Sequence, residues 1–189
     1  TMEIINGERL VLGTCYYPEH WDESLWRDDL KRMLENGIEV IRIAEFAWSK
    51  IERYEGVFNY DFFDRFLDAA AEMGMKVIFC TPTATPPAWL TEKYPEVLNA
   101  TMDGVLYRHG GRRHYNYNSP KYQELTRIIV EKSASHYAKH PAIIGWQIDN
   151  EINCEKNEFY SESDTIAFRK FLVEKYGSID ALNDAWGTN

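Results

Sequence analysis

The sequence predicts an α/β fold of parallel strands joined by helical crossovers, four strand–helix units long. Three observations carry that expectation. Apolar runs of strand length alternate with longer stretches of helical periodicity, and strands joined by helices run parallel. The strand runs are nearly continuous in apolar residues, as in strands covered on both faces. The segments after each strand are long and rich in polar or aromatic residues, whereas those leading from helix to strand are short and plain. That asymmetry gathers function at the carboxyl ends of the strands.

The elements follow in order. "RLVLGTCYY" (9–17) is a short apolar run of strand formers. "DESLWRDDLKRMLENG" (22–37) places Leu25, Trp26, Leu30, Met33 and Leu34 at helical spacing, and Gly37 marks the stop. "EVIRIA" (39–44) is the second strand, and "YDFFDRFLDAAAEMG" (60–74) is an amphipathic helix ending at Gly74. "MKVIFCTP" (75–82) is the third strand, and an irregular stretch fills 83–119. Residues 120–140 read as a helix, with Pro120 suited to its first position. "AIIGWQIDN" (142–150) is the fourth strand, and "DTIAFRKFLVEKYG" (164–177) the fourth helix. A fifth strand is expected to begin at "LNDAWGTN".

Two architectures share this pattern: an open doubly wound sheet and a (β/α)8 barrel. A dinucleotide-binding sheet wants a glycine-rich turn after its first strand, and the turn here, "YYPEHW", has no glycine.

Composition narrows the partners. Thirty acidic against 21 basic residues give a net charge of −9, which argues against nucleic acid or an anionic membrane surface. No apolar run is long enough to span a bilayer, and the start lacks the basic-then-apolar pattern of a signal peptide. Cys15, Cys80 and Cys154 are too scattered for a disulfide framework and suit a reducing compartment, so a cytoplasmic location is expected. The five histidines form no HExxH set, and there is no CxxC, so neither a cofactor nor a metal is expected.

The strand ends carry the chemistry. The fourth strand runs into Asp149, Asn150 and Glu151. A carboxylic acid there can protonate a leaving oxygen, and an amide can bind a sugar hydroxyl as donor or acceptor. The same residues can equally do no more than turn the chain into a loop. Arg42, in an otherwise apolar strand, is expensive unless paired. It either orients a carboxylate through its planar fork or makes a structural ion pair with Glu45 or another acid. Arg112 and Arg113 form a doublet in a glycine-flanked loop, and spacing alone makes them ordinary solvated cations.

Taken together, "GTCYYPEHW", "IRIAEFAWSKIERYEGVFNYDFFD", "TPTATPPAWL", "GRRHYNYNSP" and "WQIDNE" resemble the glycoside hydrolase family 42 β-galactosidases, in the family's order and over essentially the whole chain. The Asn-Glu pair alone indicates only the larger clan of retaining (β/α)8 glycosidases; the other segments are more specific. The resemblance implies that residues 1–189 are the N-terminal half of a (β/α)8 TIM-barrel catalytic domain, its first four strand–helix units. It implies a retaining β-galactosidase acting on small β-galactosides by double displacement. Glu151 would then be the general acid/base, Asn150 and Arg112 would bind the galactosyl unit, and Arg42 would support the nucleophile.

The family's nucleophile is a second glutamate on a later strand, so it is expected to be absent from this chain. Retaining enzymes hold their two carboxyls about 5–5.5 Å apart. Asp149 is a poor substitute, because in a strand it should face away from the acid's partner site. The chain alone is therefore expected to be inactive: a carbohydrate-binding or self-associating half-barrel, and a homo-oligomer. Another retaining glycosidase of the same clan is the alternative activity. Some family members also hold a zinc with four cysteines, where Asn116, Tyr160, Glu162 and Thr165 stand in this sequence.

Overall fold

A computed structural model describes residues 7, 9–112, 114–152 and 154–188. The chain divides into two compact units, Thr1–Pro87 with Ile128–Ile152, and Ala88–Arg127 with Asn153–Asn189.

The first unit is built on a four-stranded parallel sheet: β1 (Leu12–Cys15), β2 (Ile38–Ile43), β5 (Lys76–Cys80) and β6 (Ile143–Gln147), hydrogen-bonded in that order. A short antiparallel hairpin, β3 (Glu52–Tyr54) and β4 (Val57–Phe58), interrupts the series. Each strand of the sheet lies beside the next in sequence, and the order never reverses. A doubly wound sheet reverses direction at its switch point, whereas a (β/α)8 barrel adds strands one way round. The observed order is that of the barrel.

Helix α1 (Trp26–Glu35) follows β1, and the short α2 (Trp48–Ile51) follows β2. Helix α3 (Asp61–Met73) then leads to β5. The sheet's core is Ile41, Ile43, Val77 and Phe79, all fully buried. Trp26 and Leu30 of α1 and Phe63, Phe66 and Leu67 of α3 are buried as well, with Trp26 edge-on to Phe66 at 5.2 Å. Each such side chain is worth roughly 1.5–3 kcal/mol of apolar burial. Gly13 sits where a Cβ would meet the Val40 carbonyl oxygen at 3.0 Å, so a larger residue would crowd the β1–β2 pairing.

The second unit holds α4 (Ala88–Lys93), α6 (Glu162–Tyr176) and α7 (Ile179–Trp186). Helix α5 (Pro120–Tyr137) belongs to it as far as Arg127 and to the first unit from Ile128 on.

Several expectations are corrected. The fourth strand stops at Gln147 rather than 150, because the chain turns left-handed at Asp149. "LNDAWGTN" begins no strand: Leu182–Trp186 lie in α7, capped by Ser178. The stretch 83–119 is not wholly irregular but contains α4, and the β3–β4 hairpin lies inside what reads as a loop. Nor are all strands covered on both faces: all four residues of β1 are exposed.

Candidate active site

The first unit gathers polar groups beyond the carboxyl ends of β1, β2, β5 and β6. Glu45 is fully buried. Its Oε1 accepts from Arg42 Nη2 and from the Tyr17 hydroxyl, each at 2.7 Å, and Cys80 Sγ lies 3.8 Å from Oε2. Arg42 therefore makes the ion pair with Glu45 that its cost in a strand demands. Burial works against the Arg42 charge, but Glu45 together with Cys80, Cys15 and Tyr17 outweighs it and moves the guanidinium pKa up. Burial, then the bond to Glu45, pushes the Tyr17 phenol up. Burial, reinforced by Glu45, pushes the Cys80 thiol up to about 12, which leaves it a protonated, inert group at neutral pH. Glu19, partly buried nearby, is also raised, first by burial; Glu45 adds in the same direction.

Arg42 has a second partner. Its Nη1 donates to Gln147 Oε1 at 2.7 Å, from β2 to the last residue of β6. The other end of the Gln147 amide donates to the Asp149 carbonyl at 2.8 Å and to Asn150 Oδ1 at 3.2 Å. Asp149 is held from β5: its N–H donates to Thr81 Oγ1 at 2.7 Å, and Thr83 Oγ1 donates to its Oδ2 at 2.8 Å. The Asn150 N–H donates to Asp149 Oδ1 at 2.6 Å.

This net surrounds a strained turn. Asp149 has φ +55° and Glu151 φ +47°. Non-glycine residues in that region cost of order 1–3 kcal/mol each and persist where the surroundings over-determine them, typically at functional sites. Ala44, at the end of β2 beside Glu45, is left-handed too, with φ +73°. The turn buries Asp149 and Asn150 and leaves Glu151 exposed.

The expected site residues thus fall in two groups. Arg42 and Asn150 share the Gln147 network, with Glu151 next in the chain. Glu151 does not end a strand; it lies four residues past Gln147, the end of β6. The strand-alternation reason for dismissing Asp149 fails, since Asp149 is in a turn, but the carboxylate is committed to Thr83 and the Asn150 amide. Arg112 belongs to the second unit, where its Nη1 lies 3.3 Å from Glu155 Oε1 in an exposed ion pair. Arg113, its neighbour in the doublet, lies outside the described residues. Gln147, Thr81 and Thr83 were not singled out from sequence; a lone glutamine closing an apolar strand was the available signal.

The positions where the family resemblance would put zinc-binding cysteines do not fit that metal here. Asn116 is fully buried, and its amide donates toward the carbonyls of Val97 and Leu98 at 3.3 and 3.2 Å while Oδ1 accepts from Ser163 at 3.1 Å. An amide, a phenol, a carboxylate and a hydroxyl replace four thiolates. Among the described residues no cluster of three or more His, Cys, Asp or Glu could hold a metal ion.

Comparison with known proteins agrees with the barrel order of the strands. The glycoside hydrolase family 42 model, described as beta-galactosidase, matches residues 15–189. The chain is 45% identical over 179 residues to beta-galactosidase BgaA of a Thermus species, covering 94% of this chain and 28% of that protein. It is 42% identical over 177 residues to beta-galactosidase Bga of Halorubrum lacusprofundi, covering 93% and 25%. It superposes on the crystal structure of the beta-galactosidase from the psychrophilic Marinomonas ef1 with a TM-score of 0.90 at 45% identity, covering 94% of this chain and 27% of that one. The chain thus spans about a quarter of the length of the relatives it matches. Its four parallel strands are half of a (β/α)8 barrel.

Proposed function

This chain belongs to the glycoside hydrolase family 42 β-galactosidases, and from that membership we propose that the whole protein is a retaining β-galactosidase. It removes terminal non-reducing β-D-galactose from small β-galactosides by double displacement. Residues 1–189 are the N-terminal half of its catalytic domain. The observation that carries the reading is the strained turn beyond β6, which presents the exposed Glu151 carboxyl next to the buried Asn150 amide.

In this reading Glu151 is the proton donor. It protonates the glycosidic oxygen as the bond to galactose breaks, and then takes the proton from the water that releases the sugar. Asn150 and Arg112 bind galactosyl hydroxyls; Arg112 exchanges its weak surface pair with Glu155 for the substrate. Arg42, anchored by Glu45, supports a nucleophilic glutamate supplied from outside these 189 residues. No cofactor or metal takes part. The net charge of −9 disfavours nucleic acid as a partner, and no helix among the described residues is long and apolar enough to cross a membrane. The three free thiols suit the cytoplasm, and the 189-residue chain by itself is a homo-oligomer that covers its open sheet edges.

The test is Glu151→Gln in the whole protein. General acid help is worth about 10²–10⁴-fold. The variant should lose that much on galactosides with poor leaving groups, keep a faster first step on activated aryl galactosides, and accumulate the glycosyl-enzyme. Normal turnover of a poor-leaving-group galactoside by the variant refutes the assignment.

A further inference from the structure

We propose that Gln147 is a positioning residue for the proton donor, and that Thr81 shares the task. The inference rests on the role proposed for Glu151 and extends it to residues that do not touch substrate. Two of the three residues from Asp149 to Glu151 are left-handed without being glycine. Such a turn does not hold itself; something must fix it.

Gln147 is placed to do so because both ends of its amide are used. Oε1 accepts from Arg42 Nη1 at 2.7 Å, which sets which way the amide faces, since a guanidinium can only donate. Nε2 is thereby aimed at the turn, where it reaches the Asp149 carbonyl and Asn150 Oδ1. The bond to Asn150 Oδ1 in turn directs the Asn150 NH2 away from Gln147, so that amide is oriented as well. Arg42 is itself fixed by the fully buried Glu45. A rigid chain of charge-assisted and neutral hydrogen bonds therefore runs from Glu45 through Arg42 and Gln147 to the residue before Glu151.

Thr81 braces the same turn from β5. Its N–H donates to the Gln147 carbonyl at 2.9 Å, extending the β5–β6 ladder, and its Oγ1 accepts from the Asp149 N–H at 2.7 Å. Displacing a catalytic group by about 1 Å through a distant change can cost on the order of 10²-fold in rate. The net around this turn is what keeps Glu151 from such a displacement.

The experiment compares Gln147→Glu, Thr81→Val and Glu151→Gln in the whole protein, using aryl β-galactosides of rising leaving-group pKa. Gln147→Glu is nearly isosteric and keeps the acceptor for Arg42, but has no donor for the turn. Thr81→Val removes the acceptor for the Asp149 N–H and decides the matter if Gln147→Glu does not fold. With a misplaced proton donor, kcat/KM, which reads the first, bond-breaking step, should change little for the most activated substrate. For the poorest leaving group kcat/KM should fall about 10- to 100-fold, with KM changing less than kcat. A merely structural role lowers all substrates by one factor, and that result, or parental rates throughout, overturns the proposal. A steep dependence in Glu151→Gln with a flat one in the other two sinks only the positioning role. A flat dependence in Glu151→Gln removes the proton donor itself, and both proposals fall.

Discussion

Glu19 is an acid whose surroundings disfavour its charge. Its Oε2 is buried without a hydrogen-bond partner, and burial followed by the charge of Glu45 raises its pKa. A carboxyl raised in the fold favours the folded state in its protonated form. That contribution is fully present below the ordinary carboxylate value of about 4.3 and is lost as pH rises through the raised folded value. At neutral pH the ionised group is therefore a net cost. Glu19→Gln should melt at a higher temperature than the parent at pH 7, with the difference shrinking as pH falls toward 4. A variant less stable at pH 7, or an advantage independent of pH, contradicts this. The site was only partly legible at this scale. Glu151 and Asn150 stood out by their place after an apolar strand, with the turn-only reading left open beside it, and their roles came from the resemblance; Arg112 stood out through the resemblance alone. Arg42 stood out physically, as a charge in an apolar strand, and the structure gives it the pairing that physics demands. Gln147 stayed hidden because its meaning lies in a bond to a residue 105 positions away.

Among the elements, those with a long period were legible and those held by local contacts were not. Helices α1, α3, α5 and α6 were each anticipated within a few residues, because ten or more residues of consistent pattern average out individual preferences. Helix α7 has only eight residues, and its signals, Ser178 before it and Gly187 after it, were overridden by the expectation that a strand follows a helix. In the second unit hydrogen bonds hold the start of α6. The Ser161 hydroxyl caps α6 by accepting from the Asp164 N–H, and Asp164 accepts from Asn118 at 2.8 Å. Asn116 ties the Val97–Leu98 backbone to Ser163 in the first turn of the same helix. These bonds span the positions where the family resemblance would put zinc-binding cysteines. Asn116→Ala should strand several buried partners and cost roughly 1–3 kcal/mol, read as a lower melting temperature. A chelator should leave the parent's melting unchanged, and elemental analysis should find no stoichiometric zinc. One tightly bound equivalent would refute the replacement.

At the scale of the whole molecule, the sheet has two edges. Among the described residues β1 pairs only with β2 and β6 only with β5, whereas a closed barrel leaves no strand unpaired on either side. The consequence is visible in burial. Ile41 and Ile43 of the inner β2 are fully buried, while Leu12 on the edge β1 is 58% exposed and Ile148, just past β6, is 72% exposed. In the second unit Phe168, Phe171 and Val173 of α6 are each at least half exposed. Apolar surface and open parallel edges of this kind seek cover from another chain. The 189-residue chain in isolation should therefore sediment above its 22.2 kDa monomer mass, as an oligomer or aggregate. Its chemistry should be incomplete for a related reason. Retention needs a second carboxyl about 5–5.5 Å from the proton donor, and Asp149, the acid adjacent in sequence, is held by Thr83 and the Asn150 amide. With four strands of eight, and with Glu151 alone of the proposed catalytic pair, the isolated chain should show no hydrolysis of an aryl β-galactoside above that of its own Glu151→Gln variant. A monomeric 189-residue chain that cleaves the substrate in a Glu151-dependent manner would overturn both the half-barrel account of its exposed surface and the placement of the nucleophile outside it.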